Sequence, residues 1–211
     1  MKHKINTVIF LTLMTFTACG PIASFNEPQP PNTNNLSAFP KRIQGQYLSI
    51  EDSSILKITV NLICRIYDFD QKMNINQLDS NTVLSGDTII DNNTKEKTII
   101  KKVGDTLINH IHSIDTLFRL GNTDILRKFK GYYFINTYCG KDCWEVKKIK
   151  FKKGRLSISE ISSTQDIEKL QEITENFQDT VSFKFSPTKK QFKEFIKKNG
   201  FSDSEVFIRM K

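Results

Sequence analysis

Between Leu56 and Ile66 the even-numbered residues are apolar without exception: Leu56, Ile58, Val60, Leu62, Cys64 and Ile66. A period of two belongs to a strand with one buried face, because successive side chains on a pleated backbone point to opposite sides. A helix would scatter the same residues around its circumference. The run is long enough to bend or to break into two strands. On its apolar face Cys64 reads as a small buried hydrophobe rather than a reactive thiol.

The neighbouring sequence repeats the theme in shorter pieces. Further strands are expected at Tyr47–Ile50, Met73–Leu78, Thr82–Leu84, Thr88–Ile90, Thr98–Val103, Thr106–His112 and Thr116–Leu120. Short strands between Asp, Asn and Gly turns suggest an antiparallel meander, closed as a barrel or packed as a sandwich. A small repeat accompanies it: Asp87-Thr88, Asp105-Thr106 and Asp115-Thr116 each precede two apolar residues. Each is read as a turn leading into a strand, with the aspartate bonding nearby backbone rather than a cation.

Hairpins follow. Tyr132–Tyr138 and Trp144–Phe151 flank Cys139-Gly140-Lys141-Asp142-Cys143, and Lys153-Gly154 turns the chain into Leu156–Ile161. Ser163, with Asp166 three residues on, has the form of a capping box opening a helix that carries Ile167, Leu170 and Ile173 on one face. After a strand at Val181–Phe185, Ser186-Pro187 starts a second helix with Phe192, Phe195 and Ile196 turned inward. Gly200 ends it, Phe201 folds back onto Ile196, and Val206–Met210 gives a last strand.

The amino terminus has another character. Lys2, His3 and Lys4 precede a brief apolar run, and small residues stand before Cys19. A basic head, a short greasy middle and a small-residue cut site mark a secretion signal; Ile5–Ala18 is too short to span a bilayer. Phe16-Thr17-Ala18-Cys19 resembles the lipobox of bacterial lipoproteins. That resemblance implies cleavage between Ala18 and Cys19, diacylglycerol on the Cys19 sulfur, and anchorage in the outer membrane facing the periplasm. Gly20, where an aspartate would signal retention, supports the outer membrane rather than the inner one.

Removing residues 1–18 from 211 leaves 193, one domain at 41–211 preceded by a tether at 19–40. Five of the six prolines lie in that tether, which has too little apolar surface to fold alone and is expected to stay extended or disordered. Net charge is +8, falling to about +6 without Lys2 and Lys4. The excess is spread along the chain, no nucleic-acid motif is present, and the compartment argues against nucleic acid as a partner. Anionic headgroups are the natural partners for such lysines.

With Cys19 committed to lipid, three cysteines remain, so at most one intramolecular pair forms. Cys139 and Cys143, facing each other across a hairpin tip, would have Cα atoms about 5 Å apart, and an oxidising compartment favours their disulfide. His110 and His112 share a strand face; with those cysteines they would make a four-ligand zinc set, but the cysteines have the better alternative. No metal or cofactor is therefore expected. No phosphate loop, nucleophile elbow or zinc-protease helix motif appears, and nothing suggests an enzyme. The aromatic run of Tyr132, Tyr133, Phe134, Tyr138 and Trp144 reads as core packing, with a ligand cavity as the alternative.

Gly45-Gln46-Tyr47 and Gly131-Tyr132-Tyr133 each resemble the opening strand of lipocalins, with Tyr for Trp. The expectation is a mainly β (α+β) fold, an antiparallel meander or lipocalin-like barrel with two short C-terminal helices. The function expected is that of a non-enzymatic lipoprotein binding a small apolar ligand or maintaining the envelope. An immunity or inhibitor lipoprotein that blocks a partner protein is the alternative.

Overall fold

The computed structural model describes residues 23–121, 123–174, 177–178 and 183–210. The signal segment and Cys19 lie outside them. The chain first forms β1 (Ala23–Phe25), β2 (Asn35–Leu36), β3 (Gly45–Ser49), β4 (Ile55–Ile58), β5 (Leu62–Asn74), β6 (Thr82–Ser85), β7 (Thr88–Asp91), β8 (Lys97–Ile99) and β9 (Lys101–Val103). There follow β10 (Thr106–Arg119), β11 (Ile125–Phe129), β12 (Tyr132–Gly140), β13 (Cys143–Lys152) and β14 (Arg155–Glu160). Then come α1 (Thr164–Ile173), β15 (Phe177–Gln178), β16 (Phe183–Phe185), α2 (Lys189–Lys197) and β17 (Asp203–Arg209).

One large sheet runs β15-β16-β1-β13-β14-β17-β3-β4-β5-β10-β9, with β12, β11 and β2 continuing from β13. Its pairs are antiparallel except β1 with β16, and β6-β7-β8 form a separate small sheet. The fold is thus mainly β with two short helices near the C-terminus, as expected. The closed, lipocalin-like barrel is a correction. The sheet curls, but among the described residues no ladder joins β10 or β9 to β2. Side chains fill the seam instead: Phe39 meets Phe118 edge-on at 5.8 Å, and its N–H bonds Val60 O at 2.8 Å.

Two cores result. Inside the curl, Phe39, Ile43, Tyr47, Leu56, Ile63, Phe118, Tyr133, Ile149 and Phe207 form one cluster. The second lies between the outer face of β12–β13 and the helices, built on Phe25, Phe134, Val146, Leu170, Phe192, Phe195 and Phe201. Strand β12 feeds both: Tyr133 and Ile135 point into the first, Phe134 into the second. The aromatic run is core packing here, with Tyr138 and Trp144 in ring contact at 5.3 Å nearer the hairpin tip.

The Leu56–Ile66 run breaks into β4 and β5 around a tight turn, Thr59 N–H bonding Leu62 O at 2.9 Å. The turn shifts the alternation by one. Leu56 and Ile58 face inward before it, and Ile63 with Arg65 after it, since the register pairs Ile58 with Ile63 and Leu56 with Arg65. Cys64 is buried and unpaired on the opposite face.

Other expectations are redrawn. Residues expected as two strands, Thr106–His112 and Thr116–Leu120, are one strand, β10, so Asp115 sits in its middle opposite Arg65 rather than in a turn. Only the first two Asp-Thr units turn, each after a glycine in the left-handed region (Gly86 φ 63°, Gly104 φ 59°). Residues 75–77 form a 3-10 turn capped by Asn74, not the end of a strand. The strand expected from Val181 is described from Phe183.

The helix ends are also redrawn. Helix α2 is capped by Thr188, two residues after Ser186, because Gln191 completes a reciprocal box with it. In α1, Ser163 caps Asp166 N–H as read, but the Asp166 carboxylate turns away, accepting from Ser202 N–H at 2.7 Å and Ser202 Oγ at 2.9 Å. That side chain, fully buried, ties α1 to the segment after α2.

The segment expected to stay extended or disordered is packed onto the domain in its described part. Ala23–Phe25 is a buried strand, and the proline segment is clamped to β11 and β12. Asn136 Oδ1 accepts from Gln29 N–H at 2.5 Å, and its Nδ2 donates to Gln29 O at 3.0 Å. Arg127 donates to the carbonyls of Pro28 and Pro30. Low apolar content did not leave the segment loose, because buried polar side chains supply the partners its backbone needs.

Candidate functional site

At the end of the curl opposite Arg42 and Arg209, the strands leave a cleft of about 480 Å³. Ile63, Leu117, Ile135 and Ile158 form its apolar floor, and Glu51, Asp52, Arg65, Lys147, Glu160, Asp203 and Glu205 its polar walls. Each charged strand residue reaches it by the same parity that points its neighbours into the core. Glu205 lies opposite Ile158, Asp203 opposite Glu160, and Arg65 opposite Leu56.

Arg65 is the centre. Its side chain is only 16% exposed, its guanidinium pairs with Glu205 and lies 3.9 Å from Asp52, and it sits over the Phe207 ring at 5.5 Å. Burial works against its charge, but hydrogen bonds to Tyr67 and Glu205 outweigh it and hold the guanidinium above its ordinary value. Its Nε has no partner among the described residues. Asp52 shows the mirror case. Burial pushes its carboxyl up, while Ser54, Ser49 and the Arg65 charge bring it below its ordinary value. Lys147 and Glu160 complete the wall as an ion pair at 2.6 Å.

Five carboxylates face two cations around an apolar floor, so the cleft suits a ligand with an apolar body and a cationic or donor-rich end. Among the described residues that line it there is no histidine, cysteine or tyrosine. Most of its carboxylates already accept from Arg65, Lys147, Ser54 or Ser162.

The residues singled out from sequence lie elsewhere. Cys139 and Cys143 form a disulfide at the exposed β12–β13 tip, Cα atoms 5.1 Å apart. Oxidised, they are not available as ligands to a metal. His110 and His112 stand exposed on β10, His110 between Asp70 (3.0 Å) and Asp68 (3.5 Å), His112 beside Asp68 (3.4 Å). Cys19 lies outside the described residues.

Sequence reasoning missed Arg65 and Glu205. The one available signal was Asn61 inside the apolar run: a turn there reverses which residues of the next strand point inward.

What fold and site define is a class: an open, curled antiparallel sheet with a charged cleft at its mouth. Comparison with protein families, with curated proteins and with solved structures gave no match.

Proposed function

We propose that this chain is a non-enzymatic envelope lipoprotein, anchored through Cys19, that acts by gripping a partner protein. The observation that carries the reading is the β5–β10 ribbon. Among the described residues, β5 beyond Ile66 pairs only with β10, a two-stranded arm about 25 Å long that leads to the β6–β8 sheet. On the arm Phe69, Val103 and Ile114 (58%) are exposed, and on the small sheet it leads to, Val83 and Ile99 (76%). Large apolar side chains gathered on an extended arm favour protein contact.

The Cys139–Cys143 disulfide supports an oxidising compartment, in keeping with a periplasm-facing outer-membrane anchor. A small apolar ligand is the second reading. The interior of the curl is filled by Tyr47, Phe118, Tyr133 and Phe207, so the cleft, not a barrel interior, is where a ligand would sit.

Photo-crosslinking residues at Ile99 and Ile114, with Lys57 as the control, test the main reading. One protein adduct from both arm positions and none from Lys57 is expected. A stoichiometric small molecule in native mass spectrometry, with silent arm positions, transfers the function to the cleft. Alkyne fatty-acid labelling of the native chain, lost in Cys19→Ala, tests the anchor.

A further inference from the structure

The two faces of β13, β14, β17, β3 and β4 differ in charge. Cross-strand neighbours share a face. On the outer face the pairs are Lys152 with Arg155, Lys150 with Ser157, Ser157 with Val206, Arg155 with Ile208, Ile208 with Leu48, Leu48 with Ile55, and Gln46 with Lys57. Not one of these positions is Asp or Glu. Of the carboxylates on the same strands, Glu160, Asp203 and Glu205 line the cleft on the other side, and Glu145 lies two residues before Lys147, which also lines it.

Lys150, Lys152, Lys153, Arg155 and Lys57 are exposed on or at the edge of this face. A shallow depression of about 380 Å³ runs between Lys150, Lys152, Arg155, Ser157, Ser204 and Val206. Beside the cations lies an apolar strip: Leu48, Ile208, Met210 and Ile50, the last 57% exposed. The helices cover the neighbouring part of the outer face at Trp144 and Val146 and stop short of Lys150.

We propose that this outer face docks on an anionic phospholipid bilayer, the cations against the headgroups and Leu48, Ile50, Ile208 and Met210 entering the interfacial layer. The occupant follows from charge complementarity, with no acid at any of the paired strand positions, combined with exposed aliphatic groups at the same level. A headgroup layer over acyl chains matches both; a nucleic acid or soluble polyanion matches only the first. The docked domain presents its charged cleft on the opposite face of the same strands, away from the lipid. The inference extends the anchored reading but does not need the anchor to be correct.

The test places an environment-sensitive fluorescent amino acid at Ile50 of the full chain and, in a second protein, at Ile99. On vesicles of phosphatidylcholine containing phosphatidylglycerol, the Ile50 probe shifts to the blue and the shift disappears in high salt. On pure phosphatidylcholine it does not shift, and the Ile99 probe is silent on both. Reversing Lys150, Lys152 and Arg155 to Glu weakens the interaction by about a hundredfold or more, at roughly fivefold per charge lost. All three are exposed, so thermal unfolding of that variant stays close to the native, and Lys152→Gln alone gives a partial loss.

A silent Ile50 probe on anionic vesicles overturns the proposal. So does a shift that survives charge reversal, or an equal shift with heparin or a DNA oligonucleotide. Flotation in high salt reads the anchor separately. A chain that floats with a silent probe loses the face and keeps the anchor, and one that sheds in salt yet shifts at low salt keeps the face and loses the anchor.

Discussion

Arg65 and Glu205, separated by 140 residues in the chain, form an ion pair in the cleft wall, and the guanidinium also lies over the ring of Phe207, two residues beyond Glu205. The pair links β5 to β17 across the two strands that separate them in the sheet, β4 and β3. It therefore holds the curvature of the curl as well as the chemistry of its mouth.

Glu205→Ala leaves a largely buried guanidinium without its main partner and lowers unfolding stability by about 1–3 kcal/mol. Arg65→Met, which keeps apolar contact with Phe207, costs less than Arg65→Ala. Urea unfolding of the three variants checks this order. Equal midpoints for native and Glu205→Ala proteins would contradict it.

Asn136 is a second lever. Asn136→Ala leaves the buried N–H and C=O of Gln29 without their partners and costs about 2–4 kcal/mol, a desolvation penalty on each group. The loss falls first on residues 23–36. Limited proteolysis and hydrogen exchange both report it, through faster cleavage and faster exchange in that segment than in β12. Uniform loosening of the whole domain would count against the clamp.

Gly200 has no room for a side chain. A Cβ there would lie 2.2 Å from the Phe195 ring, inside the helix–sheet core. Gly200→Ala forces that ring to move and is expected to destabilise by about 1–3 kcal/mol, the usual range for overpacking. A thermal midpoint equal to the native one would show that the ring yields freely. The double variant with Phe195→Leu should recover part of the loss.

Stability should change with pH at both ends of the scale. Asp52 is held below its ordinary 3.8, so the folded protein binds that proton less tightly than the unfolded chain. Its contribution is complete above 3.8 and disappears as pH falls through the lower folded value. Lys148 has the opposite geometry. Burial disfavours its charge more than Asp166 supports it, which brings it below its ordinary 10.5. The unfolded chain then binds the proton more tightly, and stability gains from Lys148 as pH rises from the folded value towards 10.5. Urea midpoints across pH should show a shallower acid fall in Asp52→Asn and a weaker alkaline gain in Lys148→Met.

Local patterning along the chain was enough to read the fold class. Alternation over Leu56–Ile66, the glycine turns at Gly86 and Gly104, the cap at Ser163 and the spacing of Phe192, Phe195 and Ile196 depend on residues within a turn or a strand of one another. The same holds for the closeness of Cys139 and Cys143, set by one hairpin. Local terms of this kind mark strands and helices but cannot say which edges meet.

Tertiary structure decided the rest. The seam stays open because Phe39 fills it against Phe118, a contact between residues 79 apart. The proline segment is ordered because Asn136 and Arg127 reach it from the far side of the chain. One residue of slip at the Thr59–Leu62 turn exchanged the faces of β5 and carried Arg65 inward to Glu205. Strand periodicity supplies two faces without saying which is buried; that choice belongs to partners distant in sequence, whose packing and charge pairing exist only once the sheet has curled.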